Sequence, residues 1–162
     1  ELRRVVRFGE EVVDADLNDG DAVLAEHIYD QGSVEGYYLA YAYDDNGDGE
    51  LDLSANGHIV WAVDTNNDDK LDLRLDTDDD GEIDTADDTD NDRVINGSAL
   101  ASTVDMDKIK AIRVWILGQA GGSDMNYHDG NRYVVGRNII QPDDRIRRRM
   151  LTTIVKCRNL GV

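Results

Sequence analysis

Four Asp-rich units occupy the middle of this chain: DDNGDGELD from Asp44, DTNNDDKLD from Asp64, DTDDDGEID from Asp76 and DTDNDRVIN from Asp88, the last three spaced by 12 residues. Each unit has Asp or Asn at its positions 1, 3 and 5 and an aliphatic residue at position 8: Leu51, Leu71, Ile83 and Ile95. Residues 44–92 hold 19 acids against Lys70 and Arg74, a net charge of −17, while the rest of the 162 residues are close to neutral. Acids packed this densely push one another apart unless a cation enters among them.

In a calcium loop of the EF-hand type, side chains at positions 1, 3 and 5, the carbonyl at 7 and a group at 9 converge on one ion, and glycine at 6 permits the sharp turn. The four units follow that order unequally. The unit at 44 offers Asp44, Asn46, Asp48, the carbonyl of Glu50 and Asp52, with Gly49 at the turn and Ala55 at position 12. The unit at 76 is the most complete, with Asp76, Asp78, Asp80, the carbonyl of Glu82, Asp84 and, at position 12, Asp87. The unit at 64 keeps Asp64, Asn66, Asp68, the carbonyl of Lys70 and Asp72, but has Asp69 at the glycine position and Leu75 at position 12. The unit at 88 supplies Asp88, Asp90 and Asp92, yet Arg93 stands where glycine is expected.

Oxygen ligands without clustered His or Cys favour Ca²⁺ over zinc or copper. The expectation is two to four Ca²⁺ ions, with the loops at 44 and 76 the best formed. The competing reading is that these Asp and Asn side chains only cap hairpin turns, or that the stretch is a solvated tail. The runs YYLAYAYD and GHIVWAVD look like strands entering the loops at 44 and 64. They resemble the calcium hairpins of integrin-type propellers, and the tandem 12-residue spacing resembles thrombospondin type 3 repeats.

Outside the units the pattern is that of an ordinary domain. Leu2, Val5, Val6, Val12, Val13 and Leu17 recur at three- and four-residue steps, which predicts an amphipathic helix over 2–17 closed by Asn18 to Gly20. The chain starts on Glu1 with no cap before this pattern, as expected if the helix continues upstream. Runs rich in β-branched and aromatic residues predict strands at 22–29, 34–43, 57–63, 70–75, 109–117, 131–140 and 148–158. The strand at 109–117 is apolar on both faces and is the expected central one. Pro142 marks a connection, because proline cannot donate to a sheet ladder. The expected fold class is α+β: one domain over 1–162, its N-terminal helix packed on antiparallel sheet, containing an acidic calcium-loop insert over 44–96.

The strand bearing Arg113, Trp115 and Leu117 and the ending Arg147, Arg148, Arg149, Thr152, Thr153, Val155, Arg158 and Asn159 together resemble PilW-type minor pilins. More distantly, they resemble the J-type minor pseudopilins of type II secretion. The resemblance covers the first 20 residues and 105–162. It implies an ectodomain held at the inner membrane by an apolar helix upstream, facing the periplasm or built into an extracellular pilus fibre. It further implies that the chain joins other minor pilins or pseudopilins to initiate or cap a fibre. The alternative is a calcium-stabilised adhesion module of the cell surface, unrelated to pili.

The acidic balance argues against nucleic acid as a partner, since phosphate binding relies on an excess of Lys and Arg. The run Arg145, Arg147, Arg148, Arg149 is expected at a strand edge, meeting acids and discouraging edge pairing. No metalloprotease helix, nucleophile elbow, phosphate loop or dinucleotide fingerprint is present, so the expectation is a protein that is not an enzyme. His27, His58 and His128 carry no metal spacing, and the single Cys157 excludes an internal disulfide.

Overall fold

A computed structural model describes residues 32–157. Eight strands follow one another: β1 (Gly32–Tyr43), β2 (Ala62–Val63), β3 (Lys70–Arg74), β4 (Ser98–Asp105), β5 (Ile109–Ser123), β6 (Tyr133–Val135), β7 (Asn138–Ile140) and β8 (Ile146–Lys156). Six of them form an antiparallel sheet in the order β4-β3-β2-β1-β5-β8, and β6 and β7 form a separate hairpin.

The α+β expectation is corrected by this arrangement. The described residues are mostly antiparallel β-sheet and contain no helix of seven residues or more; the only helical turns among them are the 3-10 segments Thr85–Asp87 and Met106–Lys108. The physical reason is that the three- and four-residue periodicity stops at Leu17, and the residues beyond Gly20 alternate with period two or break into Asp-rich turns. The helix expected over 2–17 and the strand expected over 22–29 lie outside the described residues, as do Arg158 and Asn159.

β5 is interior, and both its faces are covered. Ala111, Trp115 and Leu117 join one core with Ala40 and Ala42 of β1; Ile109, Ile112 and Val114 join a second core with Tyr43, Ala62 and Leu71. Cys157 packs half-buried against that second core. The acidic insert is not an appendage, because it contributes β2 and β3 to the sheet and sends Ile83 and Ile95 into the first core. The expected strand over 131–140 is in fact two strands. Gly136, at φ +59°, and Arg137 turn the chain between Val135 and Asn138, the two-residue turn that glycine at the first position allows. β4 is an addition to the expected strands: of SALASTVD only Val104 is buried, so this edge strand lacks an apolar signature.

Beyond the sheet, Asp129 is fully buried and accepts hydrogen bonds from Asn131, Tyr133 and Arg148. Burial alone would raise its carboxyl, but those hydrogen bonds together hold it below the usual range. Arg148 also grips Asp144 through two nitrogens at 2.7 and 2.8 Å, and with the Ile146 N–H it lowers that carboxyl to about 2. A depressed carboxyl contributes stability above its unfolded pKa, and that contribution is lost as pH falls through the folded value. In chelator, the urea midpoint should therefore exceed that of Asp144→Asn at pH 5, and the gap should close between pH 4 and 2. A gap unchanged across that range would assign the difference to packing rather than to charge.

Candidate metal centre

All four Asp-rich units fold into one loop form. The position-1 carboxylate accepts the N–H of position 6 on its Oδ2: Gly49 to Asp44, Asp69 to Asp64, Gly81 to Asp76 and Arg93 to Asp88, each at 3.0 Å. Its Oδ1 accepts from position 4 or 5, through Gly47, Asn67, Asp79 and Asp92. The position-3 oxygen of Asn46, Asn66, Asp78 or Asp90 accepts the position-5 N–H. The position-5 carboxylate then accepts the N–H of Glu50, Lys70, Glu82 or Val94 at position 7. Positions 4 and 6 are left-handed in every loop, with φ between 58° and 92°.

In the loops at 76 and 88 these bonds aim the side chains without exhausting them, because each carboxylate oxygen accepts at most one of these N–H groups and keeps a lone pair for a cation; Asp44 Oδ1 accepts two N–H groups and Asp64 Oδ1 three. In two loops three carboxylates converge: one oxygen each from Asp76, Asp78 and Asp80, and one each from Asp88, Asp90 and Asp92, lie within 4.8 Å of one another. Oxygens around one Ca²⁺ at 2.3–2.6 Å are separated by up to about 5 Å, so either triplet could hold a metal ion. The first residue of each triplet is buried and the other two are exposed.

The placement differs from expectation in three ways. The unit at 44 does not gather three carboxylates, because Asn46 stands at its position 3; the unit at 64 shares that feature through Asn66. The unit at 88, the weakest match by sequence, does gather three. Arg93 adopts the left-handed conformation at φ +74° in place of glycine, at a cost of about 1–2 kcal/mol. Asp87 is not in the first triplet. Both its oxygens are taken by backbone N–H groups, from Thr77 and from Asp84, the latter in a capping box on the 3-10 turn.

Position 9 closes the loops rather than completing the triplets. Asp52 accepts the N–H of Asp45, Asp72 that of Thr65, and Asn96 that of Thr89. At the corresponding place in the loop at 76, Asp84 caps Ala86 and Asp87 accepts from Thr77 instead.

The loop at 76 is also clamped from outside. Arg74 lies 3.5 Å from Asp76 and 2.7 Å from Asp79, and Asn56 donates its side-chain N–H to the Asp79 carbonyl. Ser54 and Arg74 hold the Asp79 carboxyl below its ordinary value. Burial, with the charges of Asp78 and Asp76 adding to it, raises the Asp87 carboxyl despite its two N–H donors. The residues present therefore fit a divalent cation: negative oxygens are gathered and partly desolvated beyond what nearby cationic side chains offset.

The basic run meets acids at the edge strand β8. Arg147 pairs with Asp124 at 2.7 Å and Arg148 with Asp144 and Asp129. On the first-core face Arg113 stacks over Trp115 of its own strand and over Trp61, which no spacing links to them, with its guanidinium carbon 4.8 and 5.9 Å from the respective ring centroids. No family model, curated protein or solved structure matches the chain.

Proposed function

We propose that the chain is a calcium-stabilised structural module that works in assembly rather than catalysis, as the ectodomain of a minor pilin or pseudopilin. The observation that carries the calcium reading is the common form of the four loops, two of which gather three carboxylates each. Calcium fits better than magnesium because these all-oxygen sites follow the residue order of a calcium loop and do not build the octahedral cage that magnesium demands. The two motifs behind the pilin reading are sheet neighbours: Arg113, Trp115 and Leu117 of β5 pair with Ile154, Thr152 and Met150 of β8. That pairing supports the reading, because it joins the two parts of the resemblance in one structural unit.

In this reading the metal loops hold the acidic insert folded on the sheet, and the chain meets other minor pilins or pseudopilins at the inner membrane, in the periplasm or in the fibre. The test has two arms. Equilibrium dialysis should find two to four Ca²⁺ per chain, falling by one in Asp76→Asn and by one in Asp88→Asn. In the cell of origin, deletion should abolish surface fibres or secretion, and the tagged protein should co-purify with minor pilins. Normal fibres and secretion in the deletion strain would sink the pilin reading and leave the calcium module standing.

A further inference from the structure

A cleft of about 670 Å³ opens where the turn at 57–61, the loop at 76 and the end of β8 meet; Trp61, His58, Gly81, Arg113, Thr152 and Ile154 line it. Arg113 is its cationic group. The Nε is buried without a hydrogen-bond partner, and the guanidinium is held by the two indole rings rather than by a carboxylate. Burial lowers its pKa and the charge of Glu82 offsets this in part. Leaving this buried N–H without a partner is costly, and an incoming carboxylate recovers that cost through charge-assisted hydrogen bonds.

The other wall of the cleft is a sheet edge. β8 ends the strand order, so among the described residues no strand lies on its outer side. Its first half carries the exposed Arg147 and Arg149, but MLTTIV over 150–155 carries no charge, and Leu151 and Ile154 are more than half exposed. A flat, apolar edge with high β-propensity is a template for another strand. Ile154 is the Cα partner of Arg113. A strand added outside β8 would lie two strand spacings, about 10 Å, from β5. That gap is within the combined reach of an Arg and a Glu side chain.

We propose that the edge of β8 between Met150 and Val155 takes an added strand from a partner protein, and that this strand carries an acidic side chain received by Arg113. The two halves of β8 then have opposite tasks: the arginines close the edge at one end, and the uncharged run leaves it open at the other. Gly81 of the loop at 76 forms one wall of the cleft, so the test is run with that loop filled; neither Arg113 nor β8 is itself a metal ligand.

The probe is a soluble peptide of alternating Val and Thr with one central Glu, compared with the same peptide carrying Gln, titrated into the full chain at saturating Ca²⁺. Trp61 and Trp115 are the two tryptophans of the chain, so intrinsic fluorescence reads the cleft directly. The Glu peptide should bind about tenfold more tightly than the Gln peptide. Arg113→Gln should erase that preference. So should Ile154→Glu, an exposed-site change that offers the guanidinium an internal carboxylate and should leave the melting temperature undiminished. Equal affinity for the two peptides, or binding of neither, would overturn the proposal. Competition by inorganic phosphate at the same concentration as the Glu peptide would also overturn it, by making the cleft a plain anion site. Self-association that the peptide cannot displace would do so by making a second copy the occupant.

Discussion

Stripped of divalent ions by a chelator and then titrated with Ca²⁺, the protein should gain roughly 15 °C in melting temperature, and much less with Mg²⁺. A ligand that binds only the folded state adds about 2.7 kcal/mol per site at a hundred times its dissociation constant. Two triplets, Asp76, Asp78, Asp80 and Asp88, Asp90, Asp92, would then supply about 5 kcal/mol, which in a domain of this size is worth about 3 °C per kcal/mol. Relief of repulsion within residues 44–92 acts in the same direction, because the net −17 there opposes compaction without a cation. The loops at 44 and 64 share the backbone form, and any occupancy of theirs would enlarge the rise. Differential scanning calorimetry at fixed ionic strength separates this from screening by salt. Equal shifts with Ca²⁺ and Mg²⁺, or none with either, would reduce the loops to acidic turns.

The second large effect concerns the β6–β7 hairpin. Gly136 has φ +59°, and a Cβ placed there would fall 2.0 Å from the ring of Tyr38. Gly136→Val therefore meets two penalties: about 1–2 kcal/mol for a side chain in the left-handed region, and about 1–3 kcal/mol for displacing Tyr38 from the first core. A loss of about 2–5 kcal/mol is expected by urea denaturation at saturating Ca²⁺. The control is Gly122→Ala, where nothing lies within 4 Å of the new methyl and φ is not positive, so stability should barely change. Similar losses in both variants would show that the hairpin turn is not the cause.

The legible parts of the sequence are those where one residue type serves one local purpose. Leu39, Tyr41 and Tyr43 alternate with Tyr38, Ala40 and Ala42 along β1 because each set feeds a different core, and β5 reads the same way. The aliphatic residue at position 8 ties each loop to the body of the protein; Leu71, Ile83 and Ile95 are buried and Leu51 packs against the first core. Other parts depend on context that spacing does not carry. Asp87 has the type and the place of a ligand, but the cap of a 3-10 turn claims one of its oxygens and the Thr77 N–H the other. Arg93 breaks the glycine rule, yet its loop forms because Asp88 holds its N–H and Ile95 and Ile139 stitch the segment to Arg137 and back to Arg93. The Arg113 cleft draws on residues 57–61, 81, 113 and 152–154, which only the folded sheet brings together.

The pairing of β1 with β5 has a kinetic consequence. These strands join from Gly32–Ala120 to Tyr43–Ile109, so the largest block of cross-strand contacts closes everything from Asp44 to Lys108 into one loop. Closing a long loop already slows folding, since its entropy is lost before the distant contacts form. Here the loop also holds nearly all the excess negative charge, so it resists being drawn together. A cation that condensed the loop early would act on the speed of folding as well as on its balance, by shortening the search that β1 and β5 must make for each other. If calcium is that cation, the chain would complete its sheet slowly in chelator and faster once Ca²⁺ is added.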